Sequence, residues 1–377
     1  MARLGFVTGA TGFIGRRVVR VLLDAGWGVR ALVLPGEEAP PLPAAVEVVR
    51  GDVTVPDSLR GAMDGMDAAF HLAARVSPWE RDPRAYLRVN VEGTRNVVGE
   101  AMRASVPRFV FTSSMSGIGV QEGAVTREDS PPGRVFGAYE ASKAEAERVV
   151  ERAVREDGLP AVTLIPSIVV GPGDTRNSGA TLLAFVRGEL PARFAEDSLL
   201  PLVAVDDVAR AHLLAYERGK VGSRYIVSGE NVPWGELLRI ASRASGTPVP
   251  SRRVGPLAVR LVTRMSELRS RVTRSPPPLP AWLADFMLTG APMDNSRSVR
   301  ELGMEYAPVA GAIEAAIVWF REEGLFAGPR PPRPAVLGGL PAENPPAPPE
   351  TAVPGGPPEG AVPGALADRR PRPRRPA

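Results

Sequence analysis

Tyr139 and Lys143 stand four residues apart near the start of a stretch, 138–156, whose apolar residues recur with helical periodicity. Side chains at that spacing share one face of a helix, so a phenol and an ammonium would project side by side. A tyrosine ordinarily titrates near pH 10, and a neighbouring positive charge favours its phenolate. A tyrosine held in this way can deliver a proton to a carbonyl oxygen or remove one from a carbinol. The pair alone is a weak signal, because an exposed Tyr and Lys at this spacing often arise by chance. What surrounds it decides its meaning.

The surrounding chain alternates between strands and helices. Apolar runs at 4–8, 29–34, 46–50, 68–72, 108–112 and 161–170 have the character of buried strands, and helical periodicity appears at 16–25, 56–63, 86–104 and 138–156. This alternation predicts an α/β fold with a doubly wound parallel sheet covered on both faces. Residues 1–170 are expected to form that domain. Residues 171–327 form a smaller, less regular substrate-binding region, partly interleaved with it. A strand is expected there at 225–228, with helices at 208–217, 234–245 and 309–323. Residues 328–377 are dominated by Pro, Gly, Ala and Arg, lack periodicity, and are expected to be a disordered tail.

The turn between the first strand and the first helix reads Thr8-Gly9-Ala10-Thr11-Gly12-Phe13-Ile14-Gly15. Glycines there let the backbone turn tightly and approach a pyrophosphate, whose charge rests on the helix N-terminus. Gly15 lets the helix pack closely on the strand. A glycine triplet is weak evidence by itself and strong evidence in this strand–turn–helix context.

Composition removes several other chemistries. The chain has no cysteine, which excludes disulfides, thiolate nucleophiles, Cys-ligated zinc and iron–sulfur clusters. Two histidines, His71 and His212, are too few for a polyhistidine metal site, and no metal is expected. Met1-Ala2-Arg3 leads into a short apolar run broken by glycines, so no signal peptide is expected. No stretch is long and apolar enough to span a bilayer, and a cytoplasmic protein is expected. The net charge is +4, and Arg369, Arg370, Arg372, Arg374 and Arg375 cluster in the tail, so no nucleic-acid partner is expected.

The run TGATGFIG resembles the fingerprint of the extended short-chain dehydrogenase/reductase superfamily. Gly51-Asp52-Val53, His71-Leu72-Ala73-Ala74, Asn90-Val91-Glu92-Gly93-Thr94, Thr112-Ser113-Ser114, Gly171-Pro172-Gly173 and Val205-Asp206-Asp207-Val208 are similar to later landmarks of that superfamily. The similarity covers residues 3–325. It implies a Rossmann-type fold, NAD or NADP as cofactor, and an oxidoreductase. The cofactor contacts it implies come from Gly9, Thr11, Gly12, Phe13, Ile14 and Gly15, from Asp52 and Val53 at the adenine, and from Leu72, Ala73 and Ala74 by the phosphates. Asn90, Thr112, Tyr139, Lys143 and Pro166 complete the set. The implied catalytic residues are Ser114, which bonds the substrate oxygen, Tyr139, which moves the proton, and Lys143, which also holds the nicotinamide ribose. His71 and His212 are then read as structural, and Asp206 and Asp207 as helix caps. The choice between NAD and NADP stays open. Leu34 stands where related reductases carry Arg, with Arg16, Arg30, Glu37 and Glu38 nearby.

The segment 163–172 resembles the Ile-Pro-Thr-like segment of dihydroflavonol reductases and lacks the Arg that sugar-nucleotide enzymes carry before its proline. The likeness is closest to bacterial dihydroflavonol-4-reductase-like and hopanoid-associated sugar epimerase-like proteins. Three readings remain: a reductase or dehydrogenase of a mostly apolar small molecule, which is preferred; a nucleotide-sugar epimerase or dehydratase; and a non-catalytic cofactor-binding regulator. A diphosphate substrate would need Arg176, Arg187 or Arg193 turned inward. The resemblance also implies a homodimer formed through the fourth helix and the Tyr139 helix. Residues 256–290 mix apolar residues with Arg264, Arg269, Arg271 and Arg274, which suits either a membrane-surface helix or a substrate-region helix. The second reading is preferred, because aromatic residues are sparse before Trp282.

Overall fold

The central strand, β1 (Leu4–Thr8), buries Phe6 and Val7 on opposite faces, as a strand covered by helices on both sides must. The computed structural model describes residues 2–37, 42–77, 79–273, 275, 277 and 279–328; Glu38, Arg274 and the tail beyond Gly328 lie outside the described residues. The other strands are β2 (Gly28–Val33), β3 (Val46–Arg50), β4 (Ala68–His71), β5 (Phe109–Thr112), β6 (Ala161–Pro166), β7 (Ile168–Val170), β8 (Leu199–Ala204), β9 (Arg224–Val227) and β10 (Glu230–Pro233). Seven form one sheet in the order β3-β2-β1-β4-β5-β6-β9, and every pair is parallel. This is a Rossmann-type doubly wound sheet. A smaller sheet, β10-β8-β7, pairs β8 with β7 in parallel and with β10 in antiparallel fashion.

The helices are α1 (Phe13–Asp24), α2 (Arg84–Tyr86), α3 (Gly93–Arg103), α4 (Met115–Ile118), α5 (Ala138–Asp157), α6 (Asn177–Val186), α7 (Val205–Arg218), α8 (Trp234–Ser245), α9 (Pro256–Thr273), α10 (Ala281–Thr289) and α11 (Val309–Glu322). On one face of the large sheet, Val18, Val19 and Leu22 of α1 and Val208 and Ala211 of α7 pack with Trp27 and Tyr225. On the other, Val97 and Ala101 of α3 meet Ala146 and Val150 of α5 above Phe109 and Phe111. A separate core joins the small sheet to α6, α8 and α11 through Phe185, Trp234, Ile313 and Phe320.

Within residues 1–170, local structure departs from the sequence reading most clearly in the following segments. The run 161–170 is two strands in two sheets, β6 and β7. Pro166 cannot donate to a ladder, and the chain changes sheets at Ser167, whose N–H still reaches the Val227 carbonyl at 3.1 Å. The segment 56–63 forms only a 3-10 turn, Pro56–Leu59, before a string of turns. The long helix expected at 86–104 is interrupted by a π-helical stretch, Leu87–Glu92, between α2 and α3.

Candidate functional site

The glycine turn lies at the C-terminal end of β1, and its three glycines do different work. Gly9 has φ +69°, and a Cβ there would meet the backbone of Leu72 and Ala73 at 2.8 Å. A Cβ on Gly15 would fall on the Gly9 carbonyl oxygen. These two glycines therefore close the turn against β4 and α1. Gly12 is exposed, donates its N–H to the Gly9 carbonyl at 3.0 Å, and begins α1 without any side-chain cap. The first N–H groups of α1 thus face an open cradle that suits a pyrophosphate. Phe13 lies beside Gly173, and Ile14 packs on the α1–α7 core. The Thr11 hydroxyl donates to Glu37 Oε1 at 2.9 Å. The turn after β2, in which Gly36 adopts φ +75°, carries Glu37 back across the sheet end. At the end of β3, Asp52 Oδ1 accepts from the N–H and hydroxyl of Thr54, both at 2.8 Å, while Val53 is buried against Gly93.

A buried chain of hydroxyls fixes the loop after β4. The Thr94 hydroxyl donates to the Asn90 carbonyl at 2.6 Å, so it accepts from His71 Nε2 at 2.9 Å. His71 Nδ1 then accepts from the Thr8 hydroxyl at 2.8 Å, and the Thr8 oxygen accepts from the N–H groups of Leu72 and Ala73 at 3.2 and 3.1 Å. Burial, with the Lys143 charge adding to it, lowers the His71 pKa to about 3. His71 is a neutral clasp between β1 and α3. Ala74 follows it, half-buried.

Asn90 sits in the π-helical stretch, buried, with its amide fully engaged. Its Nδ2 donates to the Arg75 carbonyl at 3.1 Å and to Ser142 Oγ at 2.8 Å, and its Oδ1 accepts from the Arg75 N–H at 2.7 Å. Ser142 in turn donates to the Tyr139 carbonyl at 2.6 Å. Asn90 therefore ties the β4 loop to the first turn of α5, the turn that carries Tyr139. The Asn90–Ser142 link has no pattern in the sequence, since the two residues belong to different helices.

The Tyr139 hydroxyl hydrogen-bonds Ser114, which stands at the head of α4 just past β5, and the Ser116 N–H donates to Ser114 Oγ at 3.2 Å. The Tyr86 ring meets Tyr139 edge-on at 6.0 Å. Burial pushes the Tyr139 pKa up to about 12 against the opposing pull of Ser114. The expected lowering of the Tyr139 pKa by the Lys143 charge is not seen: burial dominates, and Lys143 is directed to the Thr112 carbonyl. Lys143 is buried and its Nζ donates to the Thr112 carbonyl at 2.8 Å, 5.1 Å from the centre of the Phe111 ring. Burial lowers its pKa to about 8, opposed by Glu147. Glu147, one turn further along α5, was not singled out by sequence reasoning, although it continues the four-residue spacing of Tyr139 and Lys143. It accepts from the Ser113 hydroxyl at 2.6 Å and pairs with Arg224 of β9 at 2.5 Å.

Thr112 also anchors the opposite helix. His212 Nδ1 donates to the Val208 carbonyl at 2.8 Å, so its Nε2 accepts from the Thr112 hydroxyl at 2.8 Å. Burial lowers the His212 pKa to about 4. Asp206 and Asp207 lie inside the first turn of α7 and do not cap it. Asp206 pairs with Arg17 of α1 at 3.0 Å, and Asp207 accepts from the Ala307 N–H at 2.9 Å. Pro166 is buried at the end of β6, and beside it Ser167 Oγ is buried with no hydrogen-bond partner among the described residues.

Met115, which follows Ser114, belongs to a buried apolar core. Met115, Ile118, Ile165, Ile226 and Met293 form one cluster, joined by Phe136 and Phe286, whose rings meet edge-on at 6.2 Å. Trp282 of α10 lies beside Gly137, two residues before Tyr139. Of the three arginines available for a diphosphate, Arg187 donates to the Leu325 carbonyl, Arg193 pairs with Glu196, and Arg176 is exposed beside Asp174. An open groove of about 590 Å³ bounded by Arg193, Asp197, Arg253 and Pro256 includes neither the glycine turn nor Ser114, Tyr139 and Lys143.

Residues 6–228 match the NAD dependent epimerase/dehydratase family. The chain is 36% identical over 336 residues to a putative dihydroflavonol 4-reductase of Synechocystis sp., covering 86% of this chain and 96% of that protein. It is 35% identical over 331 residues to sterol demethylase protein B of Methylococcus capsulatus, covering 85% and 99%. The crystal structure of gox2253 superposes with a TM-score of 0.76 at 34% identity, covering 86% of this chain and 99% of that one.

Proposed function

We propose that this chain, which belongs to the NAD dependent epimerase/dehydratase family, reduces the ketone or aldehyde of a mostly apolar small molecule, or oxidises the corresponding alcohol. It is an NAD(P)-dependent oxidoreductase of the extended short-chain dehydrogenase/reductase type. The observation that carries the substrate class is the group of half-buried rings next to Tyr139 in the chain and in space: Phe136, Phe286, which it meets edge-on, and Trp282 beside Gly137. Two of the relatives are named for flavonoid and sterol chemistry, which agrees with such a lining.

In this reading Gly9, Gly12 and Gly15 shape the cradle for the cofactor pyrophosphate, with Thr11, Phe13 and Ile14 around it and Asp52 and Val53 towards the adenine. Leu72, Ala73 and Ala74 form the wall opposite the turn. The bound nicotinamide supplies or accepts the hydride. Ser114 donates a hydrogen bond to the substrate oxygen, and Tyr139, protonated at neutral pH, gives its proton to that oxygen during reduction. Lys143 presents its charge to the cofactor ribose from the Thr112 carbonyl. Asn90 acts through Ser142 and the main chain of Tyr139, and so is a positioning residue.

A nucleotide-sugar epimerase or dehydratase is the competing reading, and the engaged Arg187 and Arg193 weigh against it. The two are separated by following the absorbance of reduced nicotinamide. Net consumption with apolar ketones, and none with nucleotide sugars, is the expected result. Isomerisation of a nucleotide sugar without net consumption of cofactor would overturn the proposal.

A further inference from the structure

The outer face of α9 is the most apolar exposed surface on the described residues. Leu257, Leu261, Met265 and Leu268 follow one another along a single helical stripe, and they are 82%, 63%, 64% and 66% exposed. Val262, 63% exposed, widens the stripe. The opposite side of the helix is buried through Val259, Thr263 and Ser270, so α9 is seated on the protein and its apolar stripe faces outward by construction. Soluble monomers rarely leave a contiguous patch of this kind uncovered.

Charge around the stripe selects the occupant. Arg264 falls along one edge and Arg269 along the other, and both are exposed. The single carboxylate of the helix, Glu267, is turned aside to accept the Ala281 N–H at the head of α10 at 3.0 Å. Arg260 is held by Asp285 of α10 at 3.1 Å. The outer surface of α9 is therefore an apolar stripe between cations, with no carboxylate of its own helix facing out. That is the charge pattern of helices that lie in the headgroup region of an anionic bilayer. No helix among the described residues is long and apolar enough to cross one.

We propose that α9 docks this protein reversibly on an anionic lipid surface. The stripe carries no aromatic side chain, since Trp282 lies by Gly137, so docking depends jointly on burial of Leu and Met and on attraction of the arginines to lipid phosphates. The position of α9 gives docking a use. It packs on α10, whose Phe286 meets Phe136 three residues before Tyr139. The membrane-facing helix and the wall of the catalytic cleft are consecutive helices, which would bring an apolar substrate held in the bilayer close to Tyr139. The docking surface itself does not depend on the reaction proposed above.

The test is flotation of the full chain with phosphatidylcholine vesicles, with and without phosphatidylglycerol. The protein should float with the phosphatidylglycerol vesicles at low salt, remain largely unbound with phosphatidylcholine alone, and detach at high salt. The triple variant Leu261→Glu, Met265→Glu, Leu268→Glu should keep the wild-type melting temperature, because these side chains are exposed, and should bind at least about tenfold more weakly. Arg264→Glu with Arg269→Glu should weaken binding only to the anionic vesicles. Failure of the wild type to float, or equal flotation of the triple variant, would overturn the proposal. So would a dimer in sedimentation velocity that the triple variant converts to monomer, since the stripe would then be covered by a second copy.

Discussion

The Lys143 ammonium donates to the main-chain carbonyl of Thr112 at 2.8 Å, and the hydroxyl of the same threonine donates to His212. One residue at the end of β5 thus joins the helix that carries Tyr139 and Lys143 to the helix on the other side of the sheet. Lys143 is held by a neutral oxygen, with the charge of Glu147 behind it, and burial brings its titration down to about pH 8.

That value sets a pH dependence. A lysine at its ordinary pKa of 10.5 would stay charged well above pH 8, whereas this one loses its proton as pH rises through about 8. If Lys143 holds the cofactor ribose, the dissociation constant for reduced cofactor should rise over that interval, and Lys143→Met should bind weakly at every pH with the step removed. Fluorescence titration across the alkaline range checks this. An affinity that stays flat past pH 8 would detach Lys143 from cofactor binding.

Tyr139→Phe keeps the ring against Tyr86 and removes the hydroxyl bonded to Ser114. Turnover should fall by about 10² or more, the usual consequence of losing a general acid. Cofactor affinity should stay close to wild type, because the glycine turn and Lys143 remain. Near-normal turnover of this variant on any substrate the wild type accepts would remove Tyr139 from the mechanism.

Gly12 and Gly15 should fail in different ways. Gly12→Val places a branched side chain on the open side of the turn, where the Gly9 carbonyl is the one near atom, at 3.2 Å. The fold should survive and cofactor binding should be lost. Gly15→Ala drives a methyl into that carbonyl, so it should cost about 1–3 kcal/mol of stability. Melting curves and cofactor titrations of both variants should show this crossed pattern.

The two buried histidines make the fold acid-sensitive. Their folded pKa values, about 3 for His71 and about 4 for His212, lie below the ordinary 6.5. Above 6.5 both states are neutral and nothing is lost. As pH falls below 6.5 the unfolded chain takes up protons that the folded chain refuses, so stability drops by up to about 1.4 kcal/mol per pH unit for each histidine. The melting temperature should fall between pH 7 and pH 5, and His71→Asn should lower it at pH 7 while flattening the slope. An unchanged slope would mean that His71 titrates in the folded state.

The parts of the site legible in the sequence are those whose partners are close in the chain. The glycine turn spans eight residues, and Tyr139, Lys143 and the strand ending at Thr112 each announce themselves by local pattern. β8 and β10 stayed hidden. Pro201 interrupts β8, and β10 is a short polar segment that ends on Pro233. The clasp of Thr8, His71, Thr94 and Asn90 draws on four elements, and no spacing rule connects them. The outward stripe of α9 was visible only as mixed composition, because periodicity identifies an apolar face and leaves open whether anything covers it.

β9 pairs with β6 in parallel, yet it enters the sheet after the whole of the chain from Ser167 to Ser223 has been laid down. During synthesis, a chain that has emerged only as far as β6 therefore carries an apolar strand with one bare edge and with Glu147 still waiting for Arg224. Such an edge is a template for pairing with other chains. The last strand of the sheet acts as a late fastener, covering the open side of β6 and bringing Arg224 to the buried Glu147 carboxylate in one step. A pause that holds synthesis with β6 emerged and β9 still inside the ribosome should expose this protein to aggregation in a way that a pause after β9 has emerged does not.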